Sequence, residues 1–172
     1  MRKFSTKFFT IVGIIILGLI TPTITCVKEI KFDQKCLGFL KQTADANTPE
    51  LASERLAIAI KYLEDNNLTN GYTSVLWRTE DENIEFWYNN LLACQNEINE
   101  LIDNENTTQL EKSNVLVKVK ESLTDENESG TVLTFPTGIS RYPNNALYGI
   151  LNTISSLLLL FAFLLMFFWR TY

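Results

Sequence analysis

The chain contains no histidine. That removes the commonest general base and the commonest transition-metal ligand. Its three cysteines, Cys26, Cys36 and Cys94, form no C-x-x-C pair, so zinc-ribbon and thioredoxin-like readings have no support. Seven glycines and four prolines in 172 residues argue against a low-complexity chain. The most telling absence is local. No Asp or Glu occurs in residues 1–26 or 141–172, although the chain has 20 of them.

All the acids therefore lie between two hydrophobic segments, at about Phe8–Val27 and Ala146–Trp169. Between Val27 and Asn145, 11 Lys or Arg face 20 acids, a net charge of -9. A domain this acidic is not expected to bind nucleic acid, whose affinity comes from clustered Lys and Arg. The length allows one small domain plus its tethers.

Ala146–Trp169 is 24 residues without a charge. At about 1.5 Å per residue a helix of that length reaches about 36 Å, more than the roughly 30 Å hydrocarbon core of a bilayer. Tyr142 and Tyr148 stand at one border, Trp169 and Tyr172 at the other, as suits membrane interfaces. A transmembrane helix is expected. At the other end, Arg2, Lys3 and Lys7 precede a 13-residue apolar run, Phe8–Ile20. That is the layout of a signal segment. No A-x-A cleavage site follows, which favours an uncleaved signal anchor to about Val27 over a cleaved peptide. Either would export the domain across a membrane. The Lys/Arg bias is weak because Lys28, Lys31 and Arg141 flank the same spans. A cytoplasmic domain is the alternative.

Four amphipathic helices are expected between the spans. Ile30, Leu37, Leu40 and Ala44 recur at helical spacing, with Phe32, Cys36 and Phe39 beside them. Thr48-Pro49-Glu50 is a helix start, followed by the stripe Ala52, Leu56, Ala59, Leu63. Thr79 with Glu82 reads as a capping box opening a third helix, with the seam Ile84, Trp87, Leu91, Cys94, Ile98, Leu101. Thr108 with Glu111 is a second box, and Leu116, Val119 and Leu123 form the stripe behind it. The resulting expectation is an all-α fold: an antiparallel bundle of about four helices flanked by N- and C-terminal transmembrane helices. Its divisions are 1–27 signal anchor or signal peptide, 28–129 acidic helical domain, 130–145 linker and 146–169 transmembrane helix.

Asp125, Asn127 and Ser129, followed by Gly130 and Val132, match the front half of a calcium loop. Position twelve is Pro136, so the bidentate Glu is missing, and a solvated turn is the plainer reading. Glu80, Asp81, Glu82 and Glu85 are explained as helix-start acids. Cys36 and Cys94 both fall on apolar faces. They would either pair as a disulfide in an exported domain or stand as two small buried hydrophobes. Tyr72, Trp77, Phe86, Trp87 and Tyr88 form a dense aromatic patch. Trp87 belongs to the seam. Tyr72, Trp77, Phe86 and Tyr88 would offer an interaction surface; the expectation is that the Tyr72–Trp77 segment folds over them instead. No cofactor is implied, and no nucleophile–base pair stands out by spacing.

The string from Tyr62 through Leu68 to Trp77 resembles a family of small bacterial membrane-anchored helical proteins. Phe86-Trp87-Tyr88-Asn89-Asn90-Leu91 and Thr108-Gln109-Leu110-Glu111-Lys112-Ser113-Asn114 resemble the same family. The similarity covers roughly residues 31–147. It implies a bacterial origin and a membrane-anchored helical domain, and it carries over no site residue. Taken together, the expected role is an extracytoplasmic interaction module. Its partners would be the lipid bilayer and a membrane or envelope protein. A membrane-tethered sensor of a small ligand or of Ca²⁺ is the second expectation.

Overall fold

The computed structural model describes residues 6–104, 106–128 and 130–171, with only the backbone of Lys7, Trp169, Arg170 and Thr171. The basic residues Arg2 and Lys3, the border residue Tyr172 and the side chains of Lys7, Trp169 and Arg170 lie outside that description. Among the described residues the chain is mostly helical, with one small two-stranded sheet, and two of the helices are long and apolar enough to cross a membrane. The order is α1 (Thr6–Phe32), a π-helical turn (Asp33–Leu37), α2 (Gly38–Ala44), α3 (Pro49–Asp65), α4 (Ile84–Asp103), α5 (Gln109–Leu123), β1 (Thr124–Asn127), β2 (Gly130–Leu133) and α6 (Asn145–Thr171). Short 3₁₀ turns stand at Glu80–Glu82 and Ile139–Arg141. Residues divide into two compact units, 1–29 with 144–172, and 30–143.

In the first unit α1 and α6 pair. Gly18 lets the helices approach, since a Cβ there would lie 2.8 Å from Leu159 Cγ and 3.3 Å from the Ser155 carbonyl. Ser155, Ile11 and Ala162 are buried in the contact. Asn152 Nδ2 donates to Thr25 Oγ1 at 3.4 Å, while the Thr25 hydroxyl donates to the Thr21 carbonyl at 2.9 Å. Small residues and a shared polar contact are what pairs helices where lipid removes the hydrophobic drive. Leu157, Leu160, Phe163 and Phe167 stay exposed, an apolar outer face that suits a bilayer and not water.

The second unit has its own core. Leu56, Ala59 and Leu63 of α3 meet Leu40 of α2 on one side and Ile84, Leu91 and Ile98 of α4 on the other, all buried. The caps follow from sequence. Thr48 Oγ1 accepts from Leu51 N at 3.3 Å with Pro49 in the first turn. Thr108 and Glu111 close both arms of their box: Thr108 N donates to Glu111 Oε2 at 2.7 Å and Glu111 N to Thr108 Oγ1 at 3.3 Å.

Three expectations are corrected. Helix α4 does not open at Thr79. The Thr79 hydroxyl binds Glu82 at 2.8 Å, but the backbone of 82–84 is engaged elsewhere: Thr73 N donates to Glu82 O and Ile84 N to Gly71 O. Asn83 caps the helix instead, accepting from Phe86 N at 3.1 Å. Ile30 is 47% exposed, and the buried stripe is Phe32, Cys36, Leu40 and Ala44. The π-helical turn holds an extra residue, so a four-residue spacing stays on one face where an ideal helix would drift. Finally, the mostly helical fold carries one small sheet that the all-α expectation lacked, and its second strand lies in the stretch 130–145 expected as linker. β1 and β2 pair antiparallel, with Thr124 opposite Leu133 and Asn127 opposite Gly130. Gly130, at φ +113°, supports the tight turn, and the β-branched Thr131 and Val132 suit a strand. Pro136 and Ile139 beyond it are buried in the second unit.

Candidate functional site

The site lies at the N-terminal half of α4 in the second unit. Its seam is turned into the core, with Trp87 only 8% exposed. The Trp87 indole reaches out of this seam and donates from Nε1 to the Thr134 carbonyl at 2.9 Å. Thr134 N in turn donates to the Leu123 carbonyl at 2.9 Å. These two bonds hold the segment after β2 across the gap between α4 and the end of α5. An open groove of about 390 Å³ results. Its wall includes Trp87, Leu91 and Cys94 of α4, Leu123 of α5, and Phe135 and Pro136. Glu80, Asp81 and Phe86 stand on the same wall toward the N-terminal end of α4.

The aromatic set divides. Trp77 and Phe86 are 75% and 63% exposed, and Val75 and Leu76 beside them are 56% and 81% exposed. The Tyr72–Trp77 segment therefore does not fold over the patch. Its base is closed by the Tyr72–Asn83 bridge, and its tip projects. Tyr72 is half-buried; its hydroxyl accepts from Asn83 Nδ2 at 3.1 Å and its ring carries the Arg78 guanidinium at 5.0 Å. Tyr88 packs against the core on another side of α4, and its hydroxyl donates to Glu64 Oε1 at 2.8 Å. Burial, and then the bond to the charged Glu64, push the Tyr88 phenol up to about 12.

Cys36 lies on the π-helical turn and Cys94 on α4; both are buried free thiols, and Cys26 is an exposed one. Burial raises the Cys94 thiol, against a smaller lowering by its hydrogen bond with Ser122. The thiol form prevails at neutral pH, and a thiol is a poor nucleophile. Asp125 and Asn127 are exposed on β1, and Ser129 lies outside the described residues. Asp125 Oδ1 accepts from Glu126 N at 2.8 Å. An extended strand carries its alternate side chains about 6.6–6.8 Å apart along a line, whereas a calcium loop wraps them around a point. Among the described residues no three Cys, Asp or Glu side chains gather as metal ligands.

Leu123, Phe135 and Pro136 were not legible as site residues, because the last two fall in the expected linker. The signal for Phe135 and Pro136 was the β-branched and apolar run Thr131-Val132-Leu133-Thr134-Phe135 after a turn glycine, a strand composition that returns the chain to the core. Comparison with protein-family models, with curated proteins and with solved structures finds no match to this chain.

Proposed function

We propose that this protein is a membrane-anchored interaction module that binds another membrane or envelope protein. In this reading α2, α3, α4 and α5 form an antiparallel bundle, as their successive packing and the short connections at 45–48 and 104–108 favour. The unit 30–143 stands on the outer face of a bacterial plasma membrane, with α1 and α6 as spans. The basic residues ahead of the first apolar run support that orientation.

The observation that carries the reading is the apolar surface at the N-terminal end of α4. Val75, Leu76 and Trp77 are consecutive and more than half exposed, and Phe86 is exposed on the helix that roots their loop. Isolated exposed apolar residues are ordinary, but a cluster of this kind marks a contact surface. Trp and Phe are also enriched in interface cores. A photo-crosslinking amino acid at position 77, in the full chain in its native membrane, tests this. A discrete adduct with a second protein is expected. Recovery of the chain alone rejects the module.

The groove favours one further reading, a small-ligand sensor, because its roughly 390 Å³ falls within the range of ligand sites. A thermal-shift panel on the full chain in detergent separates the two. A small molecule that raises the unfolding temperature supports the sensor.

A further inference from the structure

We propose that the groove receives a segment of a partner protein carrying one bulky apolar side chain flanked by Lys or Arg. This rests on the interaction-module reading and assigns the partner's chemistry. The deep wall of the groove is apolar: Trp87 and Leu91 on one side, Leu123 and Pro136 on the other. It suits a desolvated aliphatic or aromatic anchor, the kind of group that dominates binding at protein interfaces. Glu80 and Asp81 line the same groove, and both are exposed.

Glu80 and Asp81 are the charged residues among those that line the groove, and the stretch of sequence that carries them is acidic throughout. Between Arg78 and Lys112 the chain has nine acids and no Lys or Arg. Helix α4 contributes Glu85, Glu97, Glu100 and Asp103 with no cation of its own. The nearest cation in sequence, Arg78, sits over the Tyr72 ring at 5.0 Å. Lys118 of α5 is bound to Glu97 at 2.7 Å. The acids on the groove's own wall, Glu80 and Asp81, are the charges a partner would complement.

The same charge selects among occupants. A second copy of this chain would bring the same acidic stretch to the contact, and like charges across an interface are costly. An anionic lipid surface is repelled for the same reason. A neutral apolar ligand would fill the wall and leave the acids unused. A cationic segment with an apolar anchor satisfies both parts of the site.

The test uses the full chain in nonionic detergent and fluorescence anisotropy of labelled 12-residue peptides. The probe has a Gly/Ser background with one Trp flanked by four Lys. One control replaces Lys by Glu, and the other replaces Trp by Ser. The Lys-flanked Trp peptide is expected to bind about tenfold or more tightly than either control, with an affinity that falls as salt rises. E80Q/D81N on the protein is expected to weaken it about fivefold and to flatten the salt dependence. Ser122 is an exposed groove residue near the end of α5, so a substitution there replaces none of the buried apolar side chains. S122W fills the groove and is expected to abolish binding. Equal binding of the Glu peptide, or no binding of any of the three peptides, overturns the proposal. So does indifference to E80Q/D81N or to S122W. If crosslinking at position 77 still captures a partner while these peptides fail, the module stands and the basic-segment inference falls.

Discussion

Trp87→Phe is the substitution that most directly probes how the groove is held. The ring keeps its place in the seam, but the donor to the Thr134 carbonyl is lost. A neutral hydrogen bond contributes about 0.5–1.5 kcal/mol net, and an acceptor left unpaired adds to the loss. Because the groove is open, water can reach that carbonyl, which holds the second contribution down. Shrinking an indole to a phenyl removes further apolar contact at about 25 cal/mol per Å². The sum is about 1–3 kcal/mol, and it acts first on the segment that the bond fixes. Thr134 N donates to Leu123 O, so its amide reports the same staple from the other side. Hydrogen exchange of the full chain in nonionic detergent is the assay. Thr134 exchange is expected to speed up about tenfold for each 1.4 kcal/mol lost locally, with the amides of α3 unchanged. Unchanged exchange at Thr134 would refute the staple. A uniform acceleration across α3 and α4 would show that Trp87 acts through the core and not through this bond.

Three further outcomes follow from single residues. Gly71 has φ +98° and a Cβ there meets the Tyr142 hydroxyl, so Gly71→Ala is expected to destabilise the unit by about 1–3 kcal/mol, read as a lowered unfolding temperature. The Glu111 carboxyl is held below its ordinary 4.5, first by the Thr108 backbone N–H and then by the Thr108 hydroxyl. A lowered carboxyl stabilises the fold above its unfolded value and loses that contribution as pH falls through the folded one. Helicity by circular dichroism should therefore drop in a step below pH 4.5 that Glu111→Gln removes. A single cysteine at the exposed Asn106, in a chain whose three native cysteines are replaced by Ala, should react with a membrane-impermeant maleimide on intact cells. Labelling only after lysis would put the unit in the cytoplasm.

What the sequence discloses here depends on how local the deciding interaction is. The two capping boxes make the point. Thr108 and Glu111 close theirs with each other's backbone and side chains, within four residues. Thr79 and Glu82 have the same spacing and also meet, yet Gly71 and Thr73 take up the backbone at 82–84, and the helix waits until Ile84. That competition joins residues about ten positions apart and leaves no mark in a four-residue motif. The stripes on α3 and α4 were legible because a 3-4 period has few explanations other than a buried helix face. The hairpin at 124–133 was not. Its β1 half reads as acidic turn sequence, and only pairing with β2 makes it a strand. The groove was hidden for the same reason: Leu91, Leu123 and Pro136 come together only after three elements have packed.

The groove has a physical cause in the inequality of the helices around it. Helix α4 buries Ile84, Trp87, Leu91, Cys94 and Ile98, whereas α5 buries only Val119 and Leu123. Leu110 and Val117 of α5 face solvent, so most of that helix adds little cover. An apolar seam longer than its cover must be closed by something else, since exposed apolar length is unfavourable in proportion to its area. Part of the closure is supplied by Phe135 and Pro136, brought back by the hairpin and fixed by Trp87. What they leave open lies beside Glu80 and Asp81, at the end of α4 where the positive end of its dipole favours acids. The apolar gap and the acidic rim thus arise from two separate requirements of one helix, incomplete lateral cover and an acid-rich start. Any occupant must answer both, which is why charge and anchor are expected to fail independently in the peptide assay.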